Sequence, residues 1–309
     1  MPSSSPLQQH GLLVLDKPNG PTSSACVQKI KKKLSQPKIG HAGTLDPMAT
    51  GVLVVLLGQG TKLASYVSAG HKTYTGTVEL GKKTDTYDIQ GTQTGSFPWK
   101  HLSAKLVEQE VLAWEQMQEQ MVPPYSAAKH KGKTLYSLAR SGKDVPIKTK
   151  PVSIDQVQVL HVDLPIVGFR VRCSAGTYVR SLAHSLGKRL GCGAVLTSLT
   201  REEAEPFTLQ QAFSLDNVLA QPTRLPERII PLKESLPDWP QLCLDPDQAE
   251  KIKNGTWLAV DQVFGWKPTR PGQQALLLDA SGRALALAES RMHAAGLHWA
   301  VLRGLWVKQ

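Results

Sequence analysis

Between residues 40 and 57 the chain reads GHAGTLDPMATGVLVVLL, a loop with three glycines that runs directly into six consecutive aliphatic residues, Val52 to Leu57. That run is the longest purely apolar one in the chain. It fits a core strand and falls far short of the roughly 18 to 20 residues that cross a bilayer. The loop before it therefore ends on a rigid support, and its glycines permit tight or left-handed turns. Asp46 stands in this loop ahead of Pro47, which biases it toward an extended conformation. An Asp-Pro in such a loop commonly bonds its own backbone. Carried on a rigid element, it can instead present a reactive carboxylate.

The remaining pattern organises around this unit. Gly11–Leu15 reads as a buried strand, stopped by the turn residues Pro18, Gly20 and Pro21. Thr22 or Ser23 then offers an N-cap for a helix with Val27, Ile30 and Leu34 on one side and lysines on the other. Residues 73–80, 152–160 and 166–173 read as strands, and 102–120 and Tyr178–Leu190 as helices. Five prolines between Pro222 and Pro240 give that segment linker composition. Beyond it a short helix at Pro246–Asn254 precedes strands at 256–264, 274–279 and 284–289, the last two joined by a hairpin at Ala280–Arg283. The expected division is a catalytic domain over 1–240 and a small β domain over 241–309.

Hydrophobic residues make up 41% of the 309, enough for a core, and the formal net charge is +11. Residues 1–72 hold eight basic and two acidic residues, and the segment 122–150 sets seven Lys and Arg against the single Asp144. A solvated basic face and a polyanion-binding face both fit Lys29, Lys31, Lys32 and Lys33, and charge alone does not choose between them. The four cysteines are scattered without a C-x-x-C, and the first ten residues do not form a secretory signal, so a soluble cytoplasmic protein is expected. Phosphate-loop, dinucleotide-loop, zinc-hydrolase, zinc-deaminase and nucleophile-elbow motifs are each absent or incomplete. Nothing points to a cofactor, and none is expected.

A second polar cluster, Cys173–Ser181, lies at a strand-to-helix junction with Arg180 in the first helical turn. Arginine there opposes the helix dipole, which a carboxylate partner or an anionic ligand would offset. A plain surface arginine fits equally well.

Six blocks in order resemble the TruB family of tRNA pseudouridine synthases. They are Gly11–Pro18 with Gly20, Thr22 and Ser23; Gly40–Pro47 with Ala49–Gly51; Lys72 with Tyr74; Leu80-Gly81 with Thr84–Thr86 and Asp88; Pro123–Ala127 with Lys129, Gly132 and Tyr136; and Gly176–Ser181. The resemblance implies an α+β fold, with a mixed, largely antiparallel sheet, flanking helices and a C-terminal PUA-like domain. It implies a cofactor-free isomerase of uridine 55 in the T loop of tRNA, acting without an obligatory protein partner and as a monomer. A synthase acting on another RNA and a tRNA chaperone are the alternatives.

By the same resemblance Asp46 is the catalytic aspartate. Breaking the N1–C1′ bond and rejoining the base through C5 needs a group that attacks or stabilises an electron-poor ribose or base. Arg180 is expected to hold Asp46 ionised and oriented. Tyr74 is expected to stack on the uracil and to assist removal of the C5 proton. His41 supports flipping of the target nucleotide, and Leu199 packs on the bound base. Lys17, Pro18 and Lys72 flank the same cleft, the lysines near phosphate or the aspartate loop. Tyr178 is a further substrate-binding residue, and Tyr125 and Lys129 belong to a basic insertion, 122–150, that grips the T loop. Thr200 replaces an arginine common in the family, so a phosphate contact is expected to be absent or moved. His130-Lys131 stands where a small polar pair is commoner.

Overall fold

The structure, a computed structural model, describes residues 8–307 except 143 and 295. Lys143 of the basic insertion and residues 1–7 of the polar N-terminus lie outside the described residues. Among the described residues no helix is long and apolar enough to cross a membrane.

A nine-stranded mixed sheet forms the frame. Its strands are β1 (Gly11–Lys17), β2 (Ile39–Ala42), β3 (Thr50–Leu57), β4 (Lys72–Leu80), β5 (Ile154–Asp163), β6 (Ile166–Cys173), β7 (Ala194–Ala204), β8 (Phe207–Thr208) and β9 (Phe213–Ser214). The spatial order is β5-β6-β4-β7-β3-β1-β9, with β2 paired to β3 and β8 to β7. Only β1 with β9 and β7 with β3 run parallel. The sheet is thus mixed and largely antiparallel, as expected.

The aliphatic run of β3 is buried on both faces. Leu53, Val55 and Leu57 enter one core with Leu13 and Leu15 of β1, while Val52, Val54 and Leu56 enter a second with Leu12 and Val14. This two-residue alternation into two cores explains why no polar residue interrupts the strand. Each such side chain contributes about 1.5–3 kcal/mol on burial. Helices α1 (Ser23–Lys33), α2 (Ala104–Leu112) and, after the short α3 (Leu135–Arg140), α4 (Val179–Arg189) supply the first core with Val27, Val107 and Leu182. Thr22 caps α1 by accepting from the Ala25 amide at 3.0 Å. Lys29, Lys31, Lys32 and Lys33 are all exposed on α1, three of them in the last turn, where positive charge complements the dipole.

The C-terminal region forms its own five-stranded sheet from β10 (Gln241–Cys243), β11 (Leu258–Ala259), β12 (Gln274–Leu278), β13 (Ala284–His293) and β14 (Gly296–Gly304), in the order β10-β12-β13-β14-β11. Leu276, Leu278, Leu287 and Leu305 from this region complete the second core beneath β3. The expected hairpin between β12 and β13 is present, and the Asp279 carboxylate accepts from the Ser281 and Arg283 amides to close it.

Several boundaries differ from expectation. The helix read over 102–120 ends at Leu112, and Glu119–Met121 instead pairs with Thr149–Pro151. That ribbon pinches the base of the 122–150 insertion. The loop read from Gly40 opens with strand β2, because residues 39–42 pair with 54–57. The proline-rich segment is not a free linker: Ile230 exchanges two backbone hydrogen bonds with Leu12, and Leu236 enters the second core. Strands β7, β10 and β14 were not anticipated.

Candidate active site

Residues 43–49 between β2 and β3 form a loop fixed from every side. Ser23 at the start of α1 bonds both backbone polar atoms of Leu45, donating to its oxygen at 3.1 Å and accepting from its nitrogen at 2.9 Å. The Gly20 amide donates to Pro47 O. Lys17 is fully buried, and its ammonium donates to Pro18 O, Pro47 O and Ala49 O at 2.7–3.0 Å. Leu45, Met48 and Ala49 plug into the first core. Gly51, at φ +97°, closes the loop where a Cβ would run into the Arg201 backbone. Only Gly takes that conformation in that space without strain. The result is a rigid mount for Asp46, whose side chain stays 32% exposed.

Arg180 completes the mount. It sits in the first turn of α4 with only 5% of its side chain exposed, and its Nε and Nη2 each donate to one Asp46 oxygen at 2.9 Å. Nη1 donates to Thr86 O at 2.9 Å and Nη2 also to Tyr125 O at 3.1 Å. The Asp88 carboxylate stands 3.7 Å from Nε. Burial pushes the Asp88 carboxyl above its ordinary value, with the Thr86 hydroxyl and Arg180 acting in the opposite direction. A bidentate pair of this kind fixes charge and orientation together.

A cleft of about 780 Å³ opens above this pair, within the range of small-molecule sites. Its lining includes Asp46 and Arg180 together with His41, Lys72, Tyr74, Leu199 and Arg201. Tyr74 and Arg201 are register partners across β4 and β7, and Leu199 lies opposite Gly76. Burial holds the Tyr74 phenol above its ordinary value. Burial, with Arg201 nearby, holds His41 below its ordinary value. Lys72, 5% exposed, is lowered by burial and by Arg201 to about 8, and its ammonium donates to Ser68 O and Gly70 O.

Of the eleven site residues named from sequence, Asp46, Arg180, Tyr74, His41, Lys72, Tyr125, Tyr178 and Leu199 line this cleft. Lys17 lies beneath the aspartate loop and braces it. Pro18 is exposed and gives its carbonyl to Lys17, while Lys129 is exposed in the hairpin Lys129–Thr134 of the insertion. Thr200 places its hydroxyl 2.8 Å from that of Thr50, tying β7 to the first residue of β3.

Arg201, Asp88 and Ser23 are site residues missing from that set. Arg201 is 1% exposed and donates to Val52 O at 2.7 Å and to Gly43 O at 3.0 Å. Its signal lay in the two-residue spacing from Leu199, which puts both on one face of a strand.

Residues 31–179 match the family described as TruB family pseudouridylate synthase (N terminal domain). A protein of Nitratidesulfovibrio vulgaris strain Hildenborough named tRNA pseudouridine synthase B is 53% identical over 97% of this chain and 99% of its own length. One of that name from Thermotoga maritima is 35% identical over 94% of this chain and 93% of its own. Among solved structures, a Cbf5-Nop10-Gar1 complex contains a chain with a TM-score of 0.72 at 23% identity, covering 96% of this chain and 85% of that one. At that identity the likeness establishes the shared fold alone. With relatives this similar along nearly its whole length, the chain belongs to the TruB family of pseudouridylate synthases.

Proposed function

We propose that this chain isomerises uridine 55 in the T loop of tRNA to pseudouridine, as a stand-alone cytoplasmic enzyme that needs no cofactor. Residues 1–240 carry the chemistry, and 241–309 act as a PUA-like RNA-binding domain. The names of the relatives support tRNA as substrate. The observation that carries the reading is the Asp46–Arg180 pair, a carboxylate gripped through both oxygens at 2.9 Å and still open to the cleft.

A uridine stacked inside a loop cannot reach Asp46, so it must be extruded into the cleft. Tyr74 and Leu199 offer faces for the uracil, and His41, also lining the cleft, braces the vacated stack. Asp46 supplies the negative charge against which the N1–C1′ bond breaks. The base then turns, C5 bonds to C1′, and the proton lost from C5 balances the one gained at N1. The buried Tyr74 hydroxyl relays that proton as a hydrogen-bonding group. Arg180, bonded to both carboxylate oxygens, keeps Asp46 aimed throughout.

The test is pseudouridine mapping by carbodiimide adduct and primer extension on an unmodified tRNA transcript, with wild type and Asp46→Asn. A single new stop at the T-loop uridine, absent in the variant while RNA binding persists, is the expected result. No stop despite tight binding would sink the reading in favour of a chaperone or another RNA substrate.

A further inference from the structure

Tyr87 adopts φ +67°, a left-handed conformation that is a strained outlier for a bulky residue and persists only where its surroundings impose it. Its position is consequential. Thr86 on one side gives its carbonyl to Arg180 Nη1 at 2.9 Å, and Asp88 on the other brings its carboxylate to 3.7 Å from Arg180 Nε. The left-handed turn between them directs both groups at one guanidinium.

Two restraints hold Tyr87 there. The backbone is pinned to β7, with Leu196 donating its amide to Tyr87 O at 3.1 Å and Ile89 donating to Leu196 O at 2.9 Å. The ring, 8% exposed, lies flat on His184, with centroids 3.8 Å apart and planes 9° from parallel. His184 stands on α4 four residues after Arg180, one helical turn along the same face. The stack therefore joins the segment that carries Thr86 and Asp88 to the helix that carries Arg180.

We propose that Tyr87 and His184 are positioning residues for the reaction. Their stack holds the strained turn that keeps Thr86 and Asp88 on Arg180, and through Arg180 it sets the aim of Asp46. The inference rests on the roles given above to Asp46 and Arg180. Neither ring lines the cleft, so the stack acts on the rate of the chemical step and not on RNA affinity. Phenylalanine at either position preserves a flat ring and with it the clamp. Alanine frees the turn to relax to an ordinary φ, swinging the Thr86 carbonyl and the Asp88 carboxylate off the guanidinium.

The experiment is single-turnover pseudouridine formation on an unmodified tRNA transcript, with the dissociation constant of each variant measured by filter binding. Wild type and Asp46→Asn run alongside Tyr87→Ala, Tyr87→Phe, His184→Ala, His184→Phe and the double alanine. The expected result is a rate lowered about tenfold in each alanine variant, affinity within about twofold of wild type, and recovery in each phenylalanine variant. The double alanine should be no slower than either single, because both remove one interaction. A wild-type rate in His184→Ala, a loss that phenylalanine does not recover, or a loss residing in affinity would overturn the proposal. Should Tyr87→Ala fail to fold, the His184 pair decides alone. An inactive wild type would bring down the functional reading and this inference with it, whereas an active wild type matched by all the alanine variants would remove only the inference.

Discussion

Arg180→Met tests the heart of the site. It keeps the aliphatic stem and deletes a guanidinium that makes four hydrogen bonds: two to Asp46, one to Thr86 O and one to Tyr125 O. Hydrogen bonds involving a charged group contribute about 1.5–3 kcal/mol each, and stripping one partner from a buried ion pair costs about 3–5 kcal/mol. These terms are not additive, because the freed carbonyls regain water and Asp46 is already about a third open to solvent. The lower end, about 3 kcal/mol, is the appropriate magnitude. Falling on the transition state at about 1.36 kcal/mol per tenfold, it slows the reaction roughly 150-fold. Single-turnover pseudouridine formation at saturating enzyme reads this directly, with tRNA affinity expected to stay within about threefold of wild type. Arg180→Lys should fall between the two, since one ammonium cannot serve two carboxylate oxygens and two carbonyls at once. Turnover preserved in Arg180→Met alongside weakened binding would refute the reasoning and make Arg180 a phosphate ligand.

Three further outcomes follow from the geometry. Lys17→Met leaves three loop carbonyls without their buried donor, so urea melts should show a loss of about 2–4 kcal/mol together with lowered turnover; unchanged stability with weaker tRNA binding would contradict the bracing role. Lys72, at about 8 when folded against 10.5 in the unfolded chain, binds fewer protons in the native state between those values. Its contribution to stability therefore rises with pH over that window, and denaturation midpoints for wild type and Lys72→Met should diverge there; parallel curves would dispose of the idea. Binding of tRNA should weaken steeply with salt, and Lys131→Ala or Lys133→Ala should each reduce the log–log slope by roughly 0.7–0.9. A flat plot for the wild type would remove the phosphate argument.

What the residue pattern revealed, and what it hid, divides along physical lines. The aspartate loop and its strand were legible because glycine, proline and an unbroken aliphatic run each act locally. The pairing of Arg180 with Asp46 was legible only through the family blocks: an arginine at a helix start is offset by an anion but fits a plain surface position as well, and the blocks indicated the partner. β7 was hidden because its second half, Thr200 to Ala204, carries charge that looks solvated until its partners appear. Glu202 meets Arg170 at 2.7 Å and Glu203 accepts from Thr73 at 2.9 Å, both across the sheet. Glu119–Met121 looked helical because its strand partner lies some thirty residues away. The two lysines diverge for a similar reason. Lys17 and Lys129 share a side chain, but only the fold decides that the first is enclosed by carbonyls and the second points to water.

The sharing of the second core has a consequence for how this chain can be divided. Leu12, Val14, Val52, Val54 and Leu56 are covered partly by Leu276, Leu278, Leu287 and Leu305. A protein ending at residue 240 would turn that face of the nine-stranded sheet toward water. The C-terminal region thus serves as a foundation as well as an appendage, and cannot be removed or exchanged freely. A change at Leu276, which does not line the cleft, would loosen the bedding of β3 and so the footing on which Asp46 stands.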